Sequence, residues 1–188
     1  MFTIRNERPG DWEAVETLTR RSFYNQYIPG CMEHYLVHIM RGHEDFIPEM
    51  DFVAELDGEI VGNIMYTRAW LTDAAGNEKP VLTFGPARAL GYDTVVIFGS
   101  PANYVARGFV CCKKHRVSVE GGKYPSAMLV KELVPGVLEG RDWTYRDSPV
   151  MAVSEEDALA YDSTLPPMEK HWQPSQEEFY IMSHSFVD

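Results

Sequence analysis

The sequence predicts a mixed α/β (α+β) fold in which a mostly antiparallel central sheet is flanked by helices. An early stretch has apolar residues at helical spacing. An Asp57-Gly58 turn joins two strand-like runs, which is a strong hairpin signal. Residues 94–98 (TVVIF) form a continuous apolar, largely β-branched run, typical of a strand buried on both faces.

The first third of the chain reads as a strand followed by two helices. Residues 2–5 alternate between apolar and polar side chains and predict a short strand. Asp11 is a candidate N-cap for a helix that should end near Tyr27. Residues 32–40 carry one apolar face and predict a second helix.

A three-strand antiparallel meander should follow these helices. Residues 51–56 (DFVAEL) and residues 59–71 are predicted to pair through the Asp57-Gly58 turn. A second turn over residues 73–79 leads to a strand at residues 81–84.

The second half should close the sheet. Residues 87–93 leave no room for a full helix before the buried strand at 94–98. The remaining elements are a short helix at 101–107 that ends at Gly108, and closing strands at 109–111 and 127–133.

The pattern changes after about residue 134. We expect a main domain over residues 1–134 and a C-terminal extension over 135–188, packed on the domain or on a partner subunit. Residues 150–161 suggest a small helix, whereas residues 171–188 are aromatic-rich and irregular.

Composition limits the function classes. An apolar fraction of 45% and a net charge of -11 indicate a folded acidic protein, which argues against a nucleic-acid partner and against an anionic membrane. The charge favours a cationic substrate such as an amine, although an acidic surface commonly serves solubility alone. An odd number of cysteines, with no apolar run long enough to span a bilayer and no signal-peptide pattern, predicts a cytoplasmic location.

Three segments carry a resemblance to a known superfamily. Residues 51–66 (DFVAELDGEIVGNIMY), 81–86 (VLTFGP) and 94–109 (TVVIFGSPANYVARGF) are similar, in this order, to the second to fifth strands of the GNAT N-acetyltransferases. The resemblance covers about residues 1–133, and the remainder resembles the extension of one bacterial branch. It implies direct transfer of an acetyl group from acetyl-CoA to a primary amine in a ternary complex, without a metal.

The resemblance also suggests site residues. Tyr104 matches the tyrosine that protonates the coenzyme thiolate; the alternative is that its ring packs. Phe84 and Gly85 match the strand opening that binds the pantetheine arm, although Gly85 also fits an ordinary turn. Asn103 is a coenzyme contact or a polar helix-start residue.

Acceptor contacts follow from placement on the first two helices and the third strand. We expect Tyr27, His34, Tyr35 and Tyr66 to contact the amine, with core packing as the alternative for each. The i, i+4 spacing of His34 and His38 can bind zinc, but no third ligand is signalled. A homodimer is left open.

One part of the family pattern is missing. After VLTFGP, GNAT proteins continue with a glycine-rich Q/R-x-x-G-x-G/A loop and a long helix, which together bind pyrophosphate. Nothing here matches that loop, and the chain is roughly two dozen residues shorter at this point than the family pattern. In the family this long helix covers one face of the sheet. Because the helix is missing here, we expect Val95 and Ile97 to lose that cover. It also raises an alternative function, a non-catalytic GNAT-like protein that no longer holds acetyl-CoA.

Overall fold

The computed structural model describes residues 1–82 and 91–188. These residues divide into two compact units. The first unit comprises residues 1–66 and 149–179, and the second comprises residues 67–148 and 180–188. Of the predicted site residues, Phe84 and Gly85 lie outside the described residues.

The first unit contains a three-stranded antiparallel sheet. Its strands are β1 (Phe2–Asn6), β2 (Phe52–Leu56) and β3 (Glu59–Ile64), in the spatial order β1-β2-β3. The hairpin turn has positive φ at both central positions, 52° at Asp57 and 89° at Gly58, as a type I′ turn requires. The predicted Asp57-Gly58 hairpin is therefore confirmed.

Two helices follow β1 in the first unit. Helix α1 (Trp12–Phe23) contacts both α2 (Glu33–Met40) and strand β3, and its Val15 is fully buried. Helix α1 ends before the predicted Tyr27, because Tyr24 is extended and the following residue has a φ of 62°.

The C-terminal part of the first unit packs beside these helices. Helix α4 (Glu155–Asp162) begins after Ser154, whose Oγ accepts a hydrogen bond from the Asp157 amide at 3.2 Å. Helix α5 (Pro174–Ser183) begins in this unit, and its last four residues are assigned to the second unit. Buried Met40, Phe46 and Val150 form a small apolar cluster in this unit.

The second unit contains a seven-stranded sheet of mostly antiparallel pairs. The two parallel pairs are β5–β6 and β8–β10, and the spatial order is β7-β9-β6-β5-β4-β10-β8. The strands are β4 (Arg68–Asp73), β5 (Glu78–Leu82), β6 (Thr94–Phe98), β7 (Val110–Cys111), β8 (Val117–Ser118), β9 (Met128–Glu132) and β10 (Trp143–Arg146). The predicted mixed, mostly antiparallel fold is confirmed.

One side of this sheet packs on an apolar core. Val96 of β6 and Met128 of β9 join Leu71, Val81 and Trp143 in one buried cluster. The Trp143 indole N–H donates to the Leu138 carbonyl at 3.1 Å, so the ring is buried without an unpaired donor.

The predicted single strand over residues 59–71 is wrong. The structure breaks it into β3 and β4. Between them the Tyr66 carbonyl accepts a hydrogen bond from the Ile47 amide at 3.1 Å, so the backbone turns away from its ladder partners. As a result, Val81 and Leu82 belong to β5 and TVVIF is β6, one position later than the sequence suggested, while Thr83 and Phe84 lie outside the described residues.

Other expectations also need correction. Val95 and Ile97 are only 1% and 0% exposed, so the expected loss of their cover is wrong. The end of the chain is not irregular throughout, because Pro174–Ser183 is helical. Among residues 1–82 and 91–188, no helix has both the length and the apolar character needed to cross a bilayer.

Candidate functional site

The parallel step between β5 and β6 is the first feature of the candidate site. Leu82 pairs with Val95 in parallel register, while the other edge of β6 pairs antiparallel with β9 over five positions from Thr94↔Glu132 to Phe98↔Met128. The carboxyl ends of β5 and β6 therefore point the same way. Ligands of open mixed sheets bind at such an edge, where the loops that follow the strands begin.

A short helix follows β6 at this edge, as the sequence predicts. Helix α3 spans Pro101–Tyr104, and a 3₁₀ turn over Val105–Arg107 continues it. Pro101 occupies the first helical position, where the missing N–H costs nothing. Gly108 ends the turn with a φ of 86°, which confirms the predicted C-cap.

Tyr104 is held at the carboxyl end of β6 by two neighbours. Its ring lies against Gly99, where an added Cβ would come within 2.6 Å of Tyr104 Cε2. On another side its ring meets that of Phe109 edge-on, with 5.8 Å between the centroids. Gly99 is therefore needed for this ring position. The catalytic role of Tyr104 stays a prediction, as does its alternative role in packing.

Asn103 lies on the exposed side of α3. Its amide donates to the Ser100 carbonyl at 3.0 Å, and its carbonyl accepts a hydrogen bond from Arg107. The first bond closes the helical turn, whereas the second is donated by the Arg107 guanidinium. Neither involves the Asn103 side chain, whose contact with a coenzyme stays a prediction.

Two of the predicted acceptor residues lie in well-packed surroundings of the first unit. The Tyr27 ring lies between Phe23 and Phe179, with centroid separations of 5.8 and 4.8 Å. Tyr66 is 1% exposed, and its burial raises the pKa of the phenol to about 12. Both assignments stay predictions, and the packing alternative accounts for these contacts.

His34 is completely buried on α2. Its Nε2 lies 3.3 Å from Asp162 Oδ1, yet neither ring nitrogen has a hydrogen bond of good geometry among the described residues. Burial lowers the pKa of this imidazole, and Asp162 opposes that effect. The contact of His34 with a substrate stays a prediction.

Tyr35 lies in a group of aromatic rings that sequence reasoning did not foresee. Its ring is 5.4 Å from that of Tyr161 and 6.4 Å from that of His38, and the His38 and Tyr161 rings stack at 4.6 Å. Tyr161 comes from α4, far along the chain, so no local pattern could have signalled this contact.

The Glu16 carboxylate organises this aromatic group. Tyr161 donates its hydroxyl to Glu16 Oε2 at 2.6 Å, and burial, followed by this hydrogen bond, raises the pKa of the phenol. Arg41 donates to Glu16 Oε1 at 2.5 Å, and His38 Nδ1 lies 3.2 Å from the same oxygen. Tyr161 of α4, His38 of α2 and Arg41 at the C-cap of α2 thus converge on one carboxylate.

A second buried carboxyl group belongs to Asp51. Burial, together with a hydrogen bond to the Glu7 side chain, raises its pKa to about 8. Asn63 donates to Asp51 Oδ1 at 3.1 Å, and Arg41 forms a paired contact with both oxygens of Glu7 at 2.9 and 2.7 Å. A carboxyl group that keeps its proton near neutral pH can therefore be found beside β1.

The i, i+4 spacing of His34 and His38 is compatible with zinc binding. Among residues 1–82 and 91–188, no group of three or more His, Cys, Asp or Glu side chains lies close enough to hold a metal ion. In the part of the chain that the structure describes, the i, i+4 pair of His34 and His38 therefore acquires no third ligand.

Among the solved structures similar to this chain are two GNAT family proteins. One is a GNAT family N-acetyltransferase (YhbS) from Escherichia coli in complex with CoA; it is 22% identical, with a TM-score of 0.62 over 80% of this chain and 91% of that one. The other is a GNAT family acetyltransferase from Brucella melitensis in complex with acetyl-CoA, 18% identical, with a TM-score of 0.58 over 80% of this chain and 98% of that one. No family model and no curated protein matches the chain.

Proposed function

Because the chain has the fold of the GNAT N-acetyltransferases, we propose that it transfers an acetyl group from acetyl-CoA to a primary amine. The observation that carries this proposal is the parallel β5–β6 pair with Tyr104 at the carboxyl end of β6. The similar structures from Escherichia coli and Brucella melitensis, which hold CoA and acetyl-CoA, support the choice of donor.

The reaction needs two proton movements. The amine must lose a proton so that its nitrogen lone pair can attack the thioester carbonyl. A C–N bond forms, the C–S bond breaks, and the leaving thiolate takes up a proton to become the CoA thiol. Direct transfer in a ternary complex uses the enzyme chiefly to hold the two reactants in line.

Tyr104 is the residue that we propose protonates the thiolate. A phenol is a suitable acid for this step because it carries a proton at neutral pH and can donate it along a hydrogen bond. The rigid support from Gly99 and Phe109 suits the role, since a general acid must lie within hydrogen-bond distance of the sulfur. Asn103, Phe84 and Gly85 complete the proposed coenzyme site by resemblance.

Tyr104→Phe tests this assignment. We expect calorimetry to give an acetyl-CoA affinity close to that of the wild type, and turnover with a primary amine to fall by roughly 10²–10⁴-fold. Tyr180→Phe is the matched control, because Tyr180 is 58% exposed and its ring stacks on the neighbouring ring of His184. An unchanged rate in Tyr104→Phe removes Tyr104 from the mechanism, and absence of acetyl-CoA binding at millimolar concentration favours the non-catalytic alternative.

A further inference from the structure

A groove in the first unit lies between α2 and the segment that leads into α4. Its volume is about 580 Å³, which is within the range of small-molecule sites. The walls combine apolar and polar side chains. The lining residues are Tyr35, His38, Ile39, Gly42, His43, Pro149, Val150, Ala152, Val153, Ser154 and Asp157.

The apolar part of the groove has firm support. Val150 is 7% exposed and belongs to the buried cluster with Met40 and Phe46, and Ile39 packs against the same cluster. Because the buried cluster holds these side chains in place, the groove can offer a preformed apolar wall to an alkyl chain.

The Glu16 contact sets the hydrogen-bonding character of His38. A carboxylate can only accept, so His38 Nδ1, at 3.2 Å from Glu16 Oε1, carries the hydrogen. In the neutral ring this leaves Nε2 with the lone pair. The His38 side chain is 50% exposed, so its ring is accessible from the groove it lines.

The charge of the groove favours a cation. Asp157 supplies a carboxylate, and none of the lining residues is Lys or Arg. The N-terminus of α4 would attract an anion with about half a unit charge. The first turn of that helix carries Glu155, Glu156 and Asp157, whose three negative charges exceed the helix dipole.

We propose that this groove binds an alkyl ammonium ion. The ammonium group donates to the Asp157 carboxylate and to His38 Nε2, and it lies near the face of Tyr35, where a cation–π contact is favourable. The alkyl chain lies along Ile39, Val150 and Val153.

The inference goes beyond the proposed acetyl transfer, although it uses Tyr35, one of the expected contacts of the acceptor amine. Every residue that it uses belongs to the first unit, so binding requires neither acetyl-CoA nor Tyr104. Failure of the groove to bind an amine therefore leaves the proposed transfer intact, and failure of the transfer leaves the groove intact.

Ligand titration followed by NMR of the full chain tests the proposal. The probes are hexylamine, hexan-1-ol and hexanoate, which share an alkyl chain and differ in charge. We expect hexylamine to bind at least tenfold more tightly than hexan-1-ol, and hexanoate more weakly still. Equal affinities for the amine and the alcohol, or preferred binding of the carboxylate, would overturn the proposal.

Two neutralising variants in one helical turn locate the site. Asp157→Asn should weaken hexylamine binding by about tenfold, which is the effect of losing one charge-assisted hydrogen bond. Glu156→Gln removes the same charge from a neighbouring exposed position that does not line the groove, and it should change the affinity less than twofold. Equal losses in the two variants would show that only the general acidity attracts the amine.

Discussion

Asp51 illustrates how the surroundings of one residue set a property of the whole protein. Its carboxyl group is 5% exposed, and its immediate polar neighbours are Glu7 of the segment after β1, Asn63 of β3 and Arg41 after α2. Burial and the nearby Glu7 both disfavour ionisation, and they outweigh the opposing effects of Asn63 and Arg41. Asp51 therefore keeps a proton, which it shares with Glu7, and the folded protein avoids a second buried negative charge.

This proton makes stability depend on pH in a defined direction. The pKa of Asp51 is about 8 in the folded state, against an ordinary value of 3.8. The stabilisation is therefore complete below about pH 4 and is lost as the pH rises through about 8. Between these values the folded state binds the extra proton, so the free energy of unfolding falls by at most about 1.4 kcal/mol per pH unit.

Asp51→Asn should remove this dependence, because the amide imitates the protonated carboxyl group and can donate to Glu7. Urea unfolding between pH 5 and pH 9 should show a smaller loss of stability in the variant than in the wild type. Glu59→Gln, a change at an exposed carboxylate, serves as the control and should follow the wild-type profile. Parallel profiles for wild type and Asp51→Asn would show that Asp51 is already ionised in this pH range.

At the scale of elements, Asn25 links the end of α1 to the C-terminal segment of the first unit. Its Oδ1 accepts from the Gly30 and His171 amides at 3.0 and 3.2 Å, and its Nδ2 donates to the Glu169 carbonyl at 2.9 Å. Gln176 of α5 donates to the Asn25 carbonyl at 2.9 Å. Asn25 is 3% exposed, so these bonds are shielded from competing water.

Asn25→Gly should loosen this attachment. The φ of 62° at Asn25 suits glycine, so the substitution removes the side-chain bonds without adding backbone strain. We expect a loss of about 3 kcal/mol in unfolding free energy and faster amide hydrogen exchange over residues 169–179. Asp57→Gly is the matched control, because Asp57 also has a positive φ, 52°, but lies in an exposed turn. It should lower the unfolding free energy by less than about 1 kcal/mol. Unchanged exchange over residues 169–179 would show that other contacts hold this segment.

The elements also show what local sequence can predict. The run TVVIF and the Asp57-Gly58 turn were predicted correctly, because a buried β-branched run and a type I′ turn are decided by neighbouring residues. Strand β10 was missed although Trp143 and Tyr145 alternate with exposed neighbours, because only four residues carry the signal. Helix α5 was missed because its apolar residues, Phe179 to Met182, are consecutive and mark no single helix face.

The candidate site residues also differ in whether local sequence could locate them. Tyr104 and the helix that carries it could be located from a short motif, since α3 and Gly108 are adjacent in sequence. The convergence of Tyr161 and His38 on Glu16 could not be predicted, because Tyr161 is 145 residues from Glu16 and each residue alone is unremarkable. Contacts of this kind are formed by tertiary packing and leave no periodic pattern in one sequence.

At the scale of the whole molecule, net charge should govern the binding of the donor. The chain carries a formal charge of -11, and the phosphates of acetyl-CoA are also negative. Lys113 and Lys123 form local positive sites in the second unit, whereas Arg116 is paired with Asp142. The sequence has no glycine-rich loop of the GNAT type to bind pyrophosphate. We therefore expect long-range repulsion to exceed the local attraction of the phosphates.

The salt dependence of acetyl-CoA binding measures which effect dominates. Raising the ionic strength from 0.01 M to 0.15 M shortens the screening length from about 30 Å to about 8 Å. If repulsion dominates, calorimetry should show acetyl-CoA binding several-fold more tightly at the higher salt, whereas uncharged S-acetylpantetheine should bind equally at both. A steep weakening with salt would instead mean that Lys and Arg side chains hold the phosphates directly, because released counterions then oppose binding. The sign of the slope thus tells whether the donor is held by its pantetheine arm or by its phosphates.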